Sequence, residues 1–96
     1  MCGITGIYNQ RGQSVDRNIL RSMNSLLKHR GPNDEGFLFD QNVGLGFRRL
    51  SIIDLSRNAN QPLYNEHEDI SLICNGEIYN YRSLKRDLLL RGHSFY

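Results

Sequence analysis

A cysteine stands second in this chain, between Met1 and Gly3. An initiator methionine before a small residue is a target for removal, and its loss would make Cys2 the N-terminus. One residue would then carry a thiol and a free α-amino group. In model peptides a free thiol titrates at about 8.5 and an α-amino group at about 7.7–8.0. A nucleophile and a base matched to neutral pH would sit together, the arrangement of N-terminal nucleophile catalysis. The plain alternative is that Cys2 is a small residue starting a strand.

Two further places could do chemistry. In Val43-Gly44-Leu45-Gly46-Phe47-Arg48-Arg49-Leu50, Val43, Leu45 and Phe47 alternate with glycines and share one strand face. Strand parity puts Arg49 on that apolar face and leaves Arg48 as the exposed partner. An inward arginine is costly unless paired, and its planar fork suits a carboxylate, whether structural or belonging to a ligand. A bulge at Arg48-Arg49 would exchange the two. The second place is Asn75-Gly76-Glu77. Asn-Gly between apolar runs is the commonest short hairpin signal, with Ile78 and Tyr79 as the return strand. The other reading makes the Asn75 amide and the Gly76 N–H donors to a developing negative charge. On local sequence alone the hairpin is favoured.

The elements that must position these residues follow from pattern. Gly3 to Tyr8 reads as a first strand in which Gly3 and Gly6 permit a close approach, followed by a turn at Gly12. Asp16 caps a helix over residues 16 to 30, with Ile19, Leu20, Met23, Leu26 and Leu27 on its apolar face and Gly31-Pro32 as its stop. Residues 33 to 36 read as a turn and 37 to 39 as a short strand, and residues 55 to 68 as a long loop. Residues 69 to 74 form a strand in which Cys74 packs as a small hydrophobe. Asn80 caps a second helix over residues 81 to 91, Gly92 ends it, and residues 94 to 96 begin a further strand. Short strands with two amphipathic helices give an α+β class.

With 96 residues the chain suits one small domain. A net charge of +2, with scattered basic residues, does not point to nucleic acid. No apolar run approaches the ~18 residues of a membrane span, and no secretory leader is present, which places the chain in the cytoplasm. Two cysteines, Cys2 and Cys74, and three dispersed histidines predict no disulfide and no metal site.

Four stretches, Met1-Cys2-Gly3-Ile4, His29-Arg30-Gly31-Pro32, Arg49-Leu50-Ser51-Ile52-Ile53-Asp54 and Asn75-Gly76-Glu77-Ile78-Tyr79-Asn80, occur in this order across the chain. Together they resemble the glutaminase domain of glutamine-hydrolysing asparagine synthetases, a class II (N-terminal nucleophile) glutamine amidotransferase domain. The resemblance implies a four-layer α/β/β/α sandwich, of which residues 1–96 would supply only the N-terminal part. It implies that Cys2 attacks the side-chain amide of L-glutamine, with Asn75 and Gly76 holding the oxyanion. Arg49 would clamp the α-carboxylate, Glu77 would meet the α-ammonium, and Leu50, Ser51, Ile52 and Ile53 would line the pocket. The ammonia would feed ATP-dependent amidation of aspartate in a synthetase domain absent from these residues. That domain would bind ATP and Mg²⁺, whereas residues 1–96 need no cofactor, and the full-length protein would be a homodimer.

The chain departs from the family pattern at Phe47, where histidine is frequent, and at Asn33, where aspartate is. A family aspartate that helps bind the α-ammonium would fall beyond Tyr96. Two other functions fit the same residues: an inactive fragment or degenerate glutamine-binding module, expected of the isolated chain, and an amidotransferase using another carboxylate such as a sugar acid.

Overall fold

The computed structural model describes residues 2–50 and 60–95. Three strands, β1 (Gly3–Tyr8), β2 (Asp34–Asp40) and β3 (Val43–Arg49), form an antiparallel sheet in the order β1-β3-β2. The register is unbroken through Gly3↔Arg48, Ile4↔Phe47 and Gly36↔Phe47, so no bulge interrupts Arg48-Arg49. Helix α1 (Arg17–Ser25) lies on one face. It is started by Asp16, whose carboxylate accepts from the Asn18 and Ile19 N–H groups. Those backbone donors have no partner inside a helix, and an aspartate cap supplies one.

The glycines of β3 let α1 approach. A Cβ at Gly44 would stand 3.0 Å from Leu20 and Val15, and one at Gly46 would fall on the Thr5 hydroxyl and crowd Asn24. Leu20 is fully buried there, beside the nearly buried Val15. Phe37 and Phe39 stack at 5.7 Å, with the Arg17 guanidinium 4.6 Å from the Phe39 ring centre.

The same helix overturns the expectation that Arg48 is exposed. Arg48 shares its sheet face with Gly44 and Gly46, and that face is covered, leaving Arg48 only 7% exposed. Its Nε donates to the Gly31 carbonyl at 2.9 Å and its Nη1 to Glu35 Oε2 at 2.8 Å. Asn24, also fully buried, accepts from Thr5 Oγ1 at 3.2 Å and donates to the Phe47 carbonyl at 3.4 Å. Arg49, on the opposite face, is 6% exposed, as its parity requires.

The second half is built differently. Strands β4 (Leu63–Tyr64) and β5 (Ser71–Leu72) pair antiparallel as a two-stranded ribbon. Asn65 shapes its connection, accepting from the Ile70 N–H at 2.9 Å and donating to Asp69, whose carboxyl this bond holds below the usual range. Helix α2 (Tyr81–Leu90) has no buried residue. It ends in a Schellman turn, with Gly92 at φ +94°, Gly92 N–H on the Leu89 carbonyl and His93 N–H on the Leu88 carbonyl. Beyond the turn, Glu66 accepts from the Ser94 N–H and pairs with His93 Nδ1 at 3.0 Å. The radius of gyration is 14.8 Å, against about 12–13 Å for a compact chain of this length.

Several boundaries differ from the sequence reading. The first helix stops at Ser25, and residues 26 to 30 continue as turns; Leu26 is 77% exposed. Strand β2 starts at Asp34, inside the expected turn, because its backbone finds a full partner in β3. No return strand follows Asn75-Gly76: Ile78 and Tyr79 are exposed and lead into α2, so the hairpin reading does not hold. The strand expected over 69 to 74 pairs only at Ser71–Leu72, and Cys74 is exposed rather than packed. Asn80 makes no side-chain cap bond, and residues 94 and 95 are not strand. Among the described residues, no helix is long and apolar enough to cross a membrane, and no cluster of three or more His, Cys, Asp or Glu could hold a metal ion.

Two outcomes follow. Leu20→Ala should cost about 2–5 kcal/mol, whereas Leu26→Ala, at an exposed position, should change stability by less than about 0.5 kcal/mol; urea midpoints compare the two. The Glu66 carboxyl lies below the ordinary carboxylate value, chiefly through its hydrogen bond with His93 and then through the Ser94 N–H. A depressed carboxyl stabilises the contact above its unfolded value, and this is lost as pH falls through the lower folded value. Protection of the Ser94 amide, measured against its intrinsic exchange rate, should therefore hold above about pH 4.5 and fall below it.

Candidate active site

Cys2 sits one residue before β1, and its Sγ receives the Leu50 N–H at 3.5 Å. The strand is drawn close to α1's trailing turn because Gly3 has no side chain: a Cβ there would stand 3.0 Å from Leu27 Cδ1. The close approach expected at Gly3 is therefore made by a side chain of the same domain. The ladder ends at the Gly3↔Arg48 pair. One step further, Cys2 falls beside Arg49, and parity places both on the face away from α1. The thiol and the buried guanidinium thus share one end of one sheet face.

Arg49 is held from several sides. Its carbonyl accepts from the Asn33 N–H at 3.1 Å, and Pro32 bridges to it as a short parallel pair. Gly31 lies flat on the Arg48-Arg49 backbone, with no room for a Cβ. Arg49 Nη1 donates to Asn60 Oδ1 at 2.7 Å, and Asn60 Nδ2 donates in turn to Asp34 Oδ2 at 2.7 Å. Asp34 is also the residue opposite Arg49 in the sheet. The acidic partner that an inward arginine calls for is thus supplied by Asp34, with Asn60 as the link.

From Asn60 the chain passes over the same face. Gln61's carbonyl occupies the space that a Gly36 side chain would fill, and Pro62 is buried. The Gln61 side chain then reaches out to Cys74: Oε1 accepts the Cys74 N–H at 2.6 Å and Nε2 donates to the Cys74 carbonyl at 3.1 Å. Asn75, Gly76 and Glu77 follow at once and are exposed. Cys2, Leu50 and Arg49 are therefore brought together directly, and the Asn75-Gly76 turn is tied to their sheet through Gln61. Ser51, Ile52 and Ile53 lie outside the described residues. A hollow of about 470 Å³ lies between the β4–β5 ribbon and the end of α2, lined by Leu63, Ile70, Leu88 and Phe95 among others and by none of the predicted site residues.

Sequence reasoning missed Asp34, Asn60 and Gln61. The first lay in an expected turn and the other two in an expected loop. The only signal was a Gln-Pro step amid polar residues, too common to single out.

A family model of the glutamine amidotransferase domain matches residues 1–96. The chain belongs to this family. It is 45% identical over 98 residues to asparagine synthetase [glutamine-hydrolyzing] 1 of Bacillus subtilis (strain 168), covering 99% of this chain and 15% of that protein. It is 38% identical over 88 residues to asparagine synthetase B [glutamine-hydrolyzing] of Escherichia coli (strain K12), covering 91% of this chain and 16% of the relative. A third match, 38% identical over 100 residues, is to amidase chry2 of Gibberella zeae (strain ATCC MYA-4620 / CBS 123657 / FGSC 9075 / NRRL 31084 / PH-1), covering 92% of this chain and 15% of that protein. The chain spans about one-seventh of the length of the first of these relatives.

For a glutamine amidotransferase domain of this build, the Asn60–Pro62 crossing of the sheet joins the two halves. Gly36→Ala would drive a methyl into the Gln61 carbonyl and lift that crossing. The variant should lose about 1–3 kcal/mol of stability, read as a lowered urea midpoint, with the Asn60–Arg49 contact loosened in NMR spectra of the Arg49 guanidinium.

Proposed function

We propose that this chain is the nucleophile-bearing part of a glutaminase domain. The observation that carries the reading is the Cys2 thiol at the Leu50 N–H, 3.5 Å away, next to a buried Arg49 on the same sheet face. Membership of the glutamine amidotransferase family supports it. The completed domain is a four-layer α/β/β/α sandwich.

With Met1 removed, the Cys2 sulfur attacks the side-chain amide carbon of glutamine. The α-amino group of Cys2, through a water, takes the thiol proton and delivers it to the departing nitrogen. The tetrahedral oxyanion is held by the Asn75 amide and the Gly76 N–H. Collapse breaks the C–N bond and releases ammonia, leaving a thioester on Cys2. Water then adds to that carbonyl, giving glutamate and restoring the thiol. Arg49 binds the substrate α-carboxylate. Its Nη1 is held by Asn60 at 2.7 Å, which fixes the planar guanidinium on this face. Glu77 meets the α-ammonium, and backbone groups of residues 50 to 53 line the pocket. Fixed partners for both charged ends of a free amino acid reject other amides strongly.

The relatives named as glutamine-hydrolysing asparagine synthetases support aspartate as the acceptor of the ammonia in the full-length protein. ATP and Mg²⁺ then serve the synthetase domain. The relative named as an amidase favours a second reading, in which the same glutaminase half feeds a different carboxylate. On its own the chain should bind glutamine weakly without turnover, consistent with a second helix that has no buried residue.

The test uses the full-length protein. Cys2→Ala should abolish release of glutamate from glutamine while leaving amidation from added ammonium intact. Asn75→Ala should lower glutaminase kcat by about 10²–10³-fold. Full glutaminase turnover in Cys2→Ala would overturn the mechanism. Comparing aspartate with other carboxylates in the ammonium assay separates the two acceptor readings.

A further inference from the structure

We infer that Gln61 is a positioning residue for the oxyanion-holding turn. Its side-chain amide acts as a short surrogate strand that fixes the backbone of Cys74, and with it Asn75 and Gly76, relative to the sheet that carries Cys2. This rests on the proposed role of Asn75 and Gly76.

The geometry is specific. The β4–β5 ladder ends at Leu72, so it does not hold the turn that follows. Two residues later the Cys74 N–H and carbonyl both find partners, and both are on one side chain. The amide can be oriented only one way: its oxygen must face the N–H and its nitrogen the carbonyl, or two donors and two acceptors would oppose one another. No other uncharged side chain of this reach offers a donor and an acceptor side by side. Asparagine is one methylene too short, and methionine has the length without either bond.

The other end of Gln61 is anchored on the sheet. Its carbonyl fills the space above Gly36, Pro62 behind it is buried, and Asn60 before it is bonded to both Arg49 and Asp34. Through its neighbour Asn60, this one residue connects the arginine end of the site to the turn. An exposed turn left to itself samples many conformations. A donor misplaced by about 1 Å can cost on the order of 10²-fold in rate, so the tether would act on kcat.

In the full-length protein, Gln61→Met should lower glutaminase kcat by about 10- to 100-fold while KM for glutamine changes less than about threefold, because Arg49 keeps its own partners. Gln61→Asn should lose nearly as much, despite its polarity. Amide exchange at Cys74 should accelerate in both variants, with the amides of residues 43 to 49 unchanged. The deciding measurement is the pairing with Asn75→Ala. If Gln61 acts through the turn, Gln61→Met should lower kcat by a clearly smaller factor in that background than in the wild type, the remainder acting through the Gly76 N–H.

A wild-type kcat in Gln61→Asn, or unchanged exchange at Cys74, would overturn the inference. So would an undiminished further loss in the Asn75→Ala background, which would leave the oxyanion reading standing. A silent Asn75→Ala would instead remove the oxyanion reading itself, whatever Gln61 does.

Discussion

Two adjacent guanidinium groups, Arg48 and Arg49, close the last strand of the sheet, and both are buried. They point to opposite faces, because neighbours on a strand always do. Each therefore needs its own acidic partner from its own side, since a buried cation without one is among the costliest groups a fold can contain. Strand β2 supplies both at successive positions. Glu35 pairs with Arg48 on the helix face, and Asp34, through Asn60, serves Arg49 on the other. The register of β2 against β3 is fixed by this requirement as much as by apolar pattern. A slip by one residue would present each arginine with the wrong face of its partner strand.

The same pair explains why the site lies where it does. On the helix face the charge is absorbed into structure: Arg48 ties the Gly31 loop and Glu35 to the sheet, and Asn24 satisfies Phe47 beside it. On the opposite face no helix of the described residues covers Arg49. Its Nη1 donates to Asn60, which donates in turn to Asp34 of β2, and the Cys2 thiol stands at the same end. One strand thus turns two successive cations to opposite faces, one tied into the helix side and the other beside the Cys2 thiol. The small side chains of β3 contribute to this. Gly44 and Gly46 bring α1 close enough to seal one face, which leaves the polar chemistry to the other.

How much of this could be read from sequence depended on whether the deciding contact was local. Strand alternation in residues 43 to 49 placed Arg49 correctly, because side-chain parity is a property of the strand alone. It misplaced Arg48, because whether a second face is solvated depends on helix α1, which is distant in the chain. Asp16 was legible as a cap, since a cap is a bond to the next few residues; Asn80, with the same expected role, caps nothing. Asn75-Gly76 carried a strong hairpin signal, yet no strand returns. Its backbone neighbour is satisfied instead by Gln61, thirteen residues away. Asp34, Asn60 and Gln61 were invisible for the same reason: each matters only through what lies opposite it in space. The family resemblance carried the candidate site further than local pattern could, since it weighs the four stretches jointly.

The two halves of the described chain are unequal in how they are held. The β1-β3-β2 sheet has a helix sealed against it, while the β4–β5 ribbon and α2 have few buried apolar groups and are secured by polar links at identifiable points. Exposed backbone with few apolar contacts lies at the low end of local stability. A backbone group that must keep a fixed place there needs a short, directional tether to the rigid part. A hydrophobic contact would add stability without direction. Two hydrogen bonds from one planar amide define both distance and orientation, and Gln61 makes them from a backbone that Gly36 and Pro62 seat on the sheet. The polar crossing at residues 60 to 62 is thus the part of this fold where architecture and chemistry meet.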